Sequence, residues 1–232
     1  MKFKALIIIF ILSYVVSSCS NRIQYSSEII EQTSGKYLYN PDEIIEVYYN
    51  NNNLFVKWRG AEKIEPVALD EKTFFIPDMY KKLRFVEHPE TLKRYLSVIP
   101  KDDEALVTYD YLKVHDTFKT PSMYLKDGDV KNALAGYLAI KEKDSTSVFI
   151  SEREFNEEGY THIRKKEYQK AINVFTVNVG LYPNSDNVYD SLADAYARSG
   201  DSLQALNNYK IALELNTGNR RAKRFIENYT NK

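Results

Sequence analysis

The stretch DNVYDSLADAYARSGDSLQALNNYKIALELNTGN, residues 186–219, decides the fold. Its apolar residues recur at helical spacing: Tyr189, Leu192, Ala193 and Tyr196, then Ala205, Tyr209 and Ala212. Steps of three and four residues put each group on one stripe of a helix. Gly200 and Asp201 separate the two stripes. Glycine takes the left-handed backbone at a helix C-terminus without a Cβ penalty, and an aspartate oxygen accepts free N–H groups at the next N-terminus. Moving back 34 residues repeats the pattern: Ala171 falls under Ala205, Phe155 under Tyr189, Phe175 under Tyr209, and Glu167-Tyr168 under Asp201-Ser202. Pro183 closes the first unit, and Thr217 stands where the second would have its proline. Small residues allow two helices to approach, and large ones fill the space beside them.

A 34-residue period with these side chains resembles the tetratricopeptide repeat. The reading assigns one unit to residues 152–185, a second to 186–219 and a capping helix to 220–232, with Ala222, Phe225 and Tyr229 as its apolar stripe. Gly128-Asp129-Val130, Ala133 and Tyr137 mark a degenerate helical repeat over 118–150. Three units and a cap reach the number such stacks need. The first unit departs from the pattern at Glu158, His162 and Asn178, where apolar, aromatic and small residues are usual. The resemblance implies a concave face built from the first helix of each unit. Carried over residue by residue, that partner-binding groove holds Arg153, Asn156, Tyr160 and Arg164, then Asn187, Asp190, Asp194 and Arg198. It lacks the lysine and asparagine pattern of repeats that clamp a chaperone's terminal carboxylate. The same spacing also describes plain solvated helix faces.

The other end of the chain reads as an address. Lys2 and Lys4 precede an apolar run from Ala5 to Val16, the build of a secretory signal. As a helix that run spans about 18 Å at about 1.5 Å per residue, short of a bilayer core of about 30 Å. Val16-Ser17-Ser18-Cys19 resembles the bacterial lipobox. The resemblance implies cleavage after residue 18 and acylation of Cys19 with palmitate-type chains, each buried CH₂ contributing about 0.8 kcal/mol to anchoring. Residues 19–34 then read as a polar tether. Ser20 is not the aspartate that marks inner-membrane retention, and no acidic cluster marks export to the cell exterior. The expected place is the outer membrane, facing the periplasm.

Between the two, residues 35–114 alternate in short aromatic and β-branched runs. Seven strands are expected, at 36–39, 44–49, 54–58, 64–69, 73–76, 83–87 and 95–99. Asn50-Asn51-Asn52-Asn53 reads as a hairpin turn, and Pro66 marks an edge strand or a bulge. The chain is therefore read as α+β: a small antiparallel β barrel or sandwich followed by an α-helical solenoid. The order of Gly35-Lys36-Tyr37, Leu54 to Trp58, Phe74-Phe75 and Leu83-Arg84-Phe85 resembles a lipocalin-like β module of the kind found downstream of bacterial serine hydrolase domains. Residues 181–192 likewise resemble repeats that follow secreted esterase or β-lactamase-like domains in Bacteroidota. No serine here is followed by lysine three positions on, so that family's nucleophile motif is missing.

Composition narrows the chemistry. With 32 basic and 32 acidic side chains the formal charge is zero, and nucleic acid is not an expected partner. Loss of Lys2 and Lys4 with the signal leaves 30 basic against 32 acidic groups. Eight glycines, the closest pair being Gly128 and Gly136, admit no phosphate loop, GxGxxG or GxSxG. One cysteine excludes an intramolecular disulfide. His88 and His115 have no companion at ligand spacing, and Asp190 with Asp194 has no third group for acid–base work. The reading expects no enzyme, no metal and no cofactor. It expects a lipid-anchored envelope scaffold holding protein partners, accessory to the degradation or uptake of polysaccharide or peptide. Two alternatives stay open: a β domain that binds a glycan or apolar ligand through Trp58, Phe55 and Phe74, and an accessory remnant of a serine hydrolase.

Overall fold

The computed structural model describes residues 23–231. The signal segment and Cys19 lie outside the described residues. Among those described, no helix is long and apolar enough to cross a membrane.

Residues 24–34, expected as tether, are ordered against the β domain. Helix α1 spans Ser27–Thr33, with the Ser26 hydroxyl accepting the Ile29 N–H at 3.2 Å. Tyr25 is buried, and Ile29 and Ile30 pack on the same core. Thr33 is shared by Tyr49, whose hydroxyl lies 2.7 Å away, and by Tyr37, whose hydroxyl donates to the Thr33 carbonyl at 2.8 Å. Burial pushes both phenols up, Tyr49 to about 12. The polar composition of this stretch concealed an amphipathic turn.

Nine strands follow: β1 (Gly35–Asn40), β2 (Glu43–Asn50), β3 (Asn53–Trp58), β4 (Ala61–Ile64), β5 (Val67–Ala68), β6 (Thr73–Ile76), β7 (Lys81–Glu87), β8 (Arg94–Val98) and β9 (Tyr111–Val114). They form one antiparallel sheet in the order β4-β3-β2-β1-β9-β8-β7-β6-β5, curled into a half-barrel rather than folded as a sandwich. The curl follows from connectivity. Its two edge strands are joined only by Glu65 and Pro66, and three peptide steps reach at most about 11 Å. Burial alternates without interruption through this join: Ile64 and Pro66 are buried, Glu65 and Val67 exposed. The run expected at 64–69 is thus one line of chain that pairs first with β3 and then with β6. Pro66, which has no N–H to give a ladder, sits where the partner changes. The short β9, absent from the sequence expectation, joins β1 to β8. Asn51 and Asn52 both take positive φ in the β2–β3 hairpin, 49° and 61°. Tyr37, Ile45, Val56, Phe74, Leu83 and Leu96 fill the interior.

Seven helices complete the chain: α2 (Pro121–Lys126), α3 (Val130–Lys143), α4 (Glu152–Arg164), α5 (Tyr168–Leu181), α6 (Asp186–Ser199), α7 (Ser202–Leu215) and α8 (Arg220–Thr230). They form three consecutive helical hairpins and a cap, the tetratricopeptide-type arrangement. The repeat positions explain the packing: Ala171, Phe175, Ala205, Tyr209 and Ala212 are all buried. Gly159 is glycine because a Cβ there would lie 2.4 Å from the Phe175 ring. Asn178, a departure from the pattern, is buried and donates to the Glu152 carbonyl at 3.1 Å, tying α5 to the start of α4. Asp42 and Lys36, which donates to the Phe118 carbonyl at 3.3 Å, tie the two halves of the molecule together. Asp42, in the β1–β2 turn, accepts the Ser122 N–H at 2.7 Å and the Tyr137 hydroxyl at 3.0 Å.

Candidate functional site

The eight groove positions separate into two groups. On α4, turns of three and four residues bring Arg153, Asn156, Tyr160 and Arg164 onto one face, and Asn187 at the start of α6 stands beside them. These five, with Glu152, Glu157 and Thr161, line an open cleft of about 770 Å³. Glu152 orders its α6 side by accepting from Asn187 Nδ2 and the Ser185 hydroxyl, each at 3.0 Å. Arg153 is exposed and pairs with Glu154 at 3.1 Å and Glu157 at 3.5 Å. Exposed pairs of this kind contribute little and exchange readily with a ligand's charges. Arg164 donates to the Thr161 hydroxyl at 2.7 Å. The Asn156 Oδ1 is buried and has no hydrogen-bond partner among the described residues. Such atoms are uncommon in folded proteins, since buried acceptors are normally satisfied.

Asp190, Asp194 and Arg198 do not line this cleft. Asp190 and Asp194 are 7% and 8% exposed. Arg221 of α8 covers them: it donates to Asp190 Oδ2, lies 3.4 Å from Asp194 Oδ2, and reaches the Tyr160 hydroxyl at 3.2 Å. Asn219 Nδ2 adds a 3.0 Å bond to Asp190 Oδ1, while Arg198 Nε holds Asp194 Oδ1 at 3.0 Å. Two carboxylates so close would repel each other, and the capping helix supplies the neutralising charge. Helical spacing puts both on one face of α6, and that face is buried under α8. What the spacing lacked was the neighbour, since Arg221 belongs to a helix outside the repeat pattern.

The remaining candidates have local roles. His88 Nδ1 accepts the N–H groups of Glu90 and Thr91 at 3.2 and 3.3 Å, and His115 Nδ1 accepts that of Thr117 at 3.2 Å. Both organise turns. Trp58 meets Tyr39 edge-on at 5.5 Å, and Arg59 lies 4.6 Å over its ring. Phe74 is in the interior cluster of the curled sheet, whereas Phe55, also buried, lies outside that cluster and stacks on Tyr48 at 5.5 Å. The three aromatics therefore do not line one ligand surface.

A second cleft, which the sequence reading did not anticipate, lies between α2 and α4. It encloses about 530 Å³ and is lined by Ser122, Met123, Leu125, Lys126, Tyr137, Glu158, His162, Lys170 and Val174. His162 Nδ1 is 2.7 Å from Glu167 Oε2, and its Nε2 is 3.9 Å from Glu158 Oε1. Hydrogen bonds from Lys170 and His162 hold the Glu167 carboxyl down at about 2. The only sequence signal for this site was that Glu158 and His162 break the repeat pattern.

No family model matches the chain, and no curated protein matches it. Among solved structures it is similar to the first TPR of Spaghetti (RPAP3) bound to an HSP90 peptide: 18% identity, 48% of this chain and 85% of that one covered, TM-score 0.34. A point mutant of MamA is 21% identical, with 46% of this chain and 74% of that one covered and a TM-score of 0.36. A crystal structure of MamA, also 21% identical, has 46% and 60% covered and a TM-score of 0.32.

Proposed function

We propose that this chain is a lipid-anchored scaffold of the bacterial cell envelope that holds a protein partner in the concave cleft of α4 and α6. The observation that carries the reading is the cleft itself: five of the expected side chains, from two consecutive repeats, line one open volume. An extended peptide segment fits that chemistry. Its charged side chains would exchange with the exposed Arg153–Glu157 pair, and its backbone would lie along the Tyr160 and Asn187 side chains. The anchor rests on the lipobox residues Val16-Ser17-Ser18-Cys19 and the apolar run before them. In this reading the protein is not an enzyme, and the outer membrane facing the periplasm is its place. The β module, lipocalin-like in its aromatic order, acts as a spacer that α1 and Asp42 fix between anchor and stack.

Two outcomes test the proposal. Fatty-acid label is expected on the native chain and absent from Cys19→Ala; label that persists in the variant overturns the anchor. Capture of envelope proteins by the full chain is expected to fall about tenfold with Arg153→Glu plus Arg164→Glu, a loss of roughly 1.4 kcal/mol. Undiminished capture overturns the cleft.

A further inference from the structure

We propose that the cleft between α2 and α4 is a second recognition pocket, one that takes the methylene stem and cationic tip of a lysine or arginine side chain carried by a protein partner. It does not depend on the concave cleft. A comparison inside the molecule points to it. One repeat later, the positions of Glu158 and His162 are held by Leu192 and Tyr196. There the two residues pack with Ile163, Ile172 and Phe175 and close the seam between α4 and α6. At the seam between α2 and α4 the same positions carry a carboxylate and an imidazole, and the seam stands open as the 530 Å³ cleft. Replacing packed apolar residues by polar ones forfeits burial. Here the exchange creates a lined volume.

The lining has two parts. Met123, Leu125 and Val174 give an apolar floor suited to a chain of methylenes. Glu158 and His162 supply the polar wall. His162 is fixed by its 2.7 Å contact to Glu167, which leaves Nε2 directed toward Glu158. Asp42 stands behind Tyr137, whose hydroxyl it accepts, and adds a second negative charge to the site. Although Glu158 keeps about half of its side chain in solvent, partial desolvation raises its carboxyl, the His162 charge lowers it and the Asp42 charge raises it again, with a net upward shift. A cation placed at Glu158 relieves that penalty, because it adds to the one distant partner the carboxylate has, His162 at 3.9 Å. Of the two lysines on the rim, Lys170 is held by Glu167 at 2.8 Å, and Lys126 is exposed.

The three histidines of the chain make the test direct, since each gives its own imidazole resonance. The full chain in detergent is titrated with N-acetyl-arginine amide, N-acetyl-lysine amide and, as an uncharged stem, N-acetyl-norleucine amide. The expected result is a saturable shift of the His162 signal with both cations, fixed His88 and His115 signals, and no response to the norleucine analogue. Glu158→Gln, a change at a side chain 53% exposed, should leave the melting temperature unchanged and weaken the response about fivefold. A stationary His162 signal, an equal response to norleucine, or a response unaffected by Glu158→Gln overturns the proposal.

Discussion

Lys166, just past the end of α4, takes the left-handed backbone conformation, with φ of 61°. Its equivalents are glycines: Gly200 one repeat later, with φ of 93°, and Gly128 in the earlier hairpin, with φ of 81°. A side chain with a Cβ is strained there, whereas glycine is not. Lys166→Gly is therefore expected to stabilise the chain by about 0.5–1 kcal/mol, set by the difference between that strain and glycine's greater entropy loss. The melting temperature should rise by about 1–3 °C, measured by circular dichroism. At this scale the sequence was informative wherever a residue meets its own repeat. The buried Ala171, Ala205 and Ala212 follow from spacing alone. It was silent wherever a residue meets something outside the period, as Asp190 meets Arg221, Asn178 meets the Glu152 carbonyl and Asp42 meets Tyr137.

Helix α8 completes the stack, and it does so by charge as well as by apolar contact. Ala222, Phe225 and Ile226 pack with Ala205 and Tyr209, while Arg221 neutralises Asp190 and Asp194. Arg221→Ala leaves two largely buried carboxylates sharing only Arg198 and Asn219, which costs about 2–3 kcal/mol for a pair with a half-exposed guanidinium. Amide exchange should therefore accelerate across Arg220–Thr230 while α4 and α5 keep their protection. Unchanged protection of α8 would contradict this role. The elements legible beforehand were those with strong local signals: the helices capped by Asp201 and Asn219, and the Asn51-Asn52 hairpin. Helix α1 was hidden because its seven residues bury only one side against a distant sheet. Strand β9 was hidden because, unlike the equally short β6, it buries only Tyr111 and carries no run of core side chains. The split of one run into β4 and β5 depends on which strands lie at either edge, and that is a property of the whole curled sheet.

The whole molecule is a curled β domain plugged by α1 and joined through Asp42 to a three-hairpin stack and its cap. Two faces of that stack carry open clefts. The concave one was legible in part: five of eight candidates line it, because helical periodicity fixes a face. Asp190 and Asp194 are covered by Arg221, and Arg198 is exposed but turned to Asp194, because periodicity does not say what lies above a face. The cleft between α2 and α4 was present in the sequence only as two residues that broke a pattern, and its meaning required the neighbouring seam for comparison. The proposed function rests on the concave cleft as the place where a protein is held. Site-specific photocrosslinking in the native envelope tests it most directly, with the crosslinker at Asn156 in the cleft and, as control, at Lys210 on α7. The expected result is a discrete protein adduct from position 156 that disappears with Arg153→Glu plus Arg164→Glu, and none from position 210. Equal adducts from both positions, or an adduct at 156 that survives the charge reversal, would contradict it.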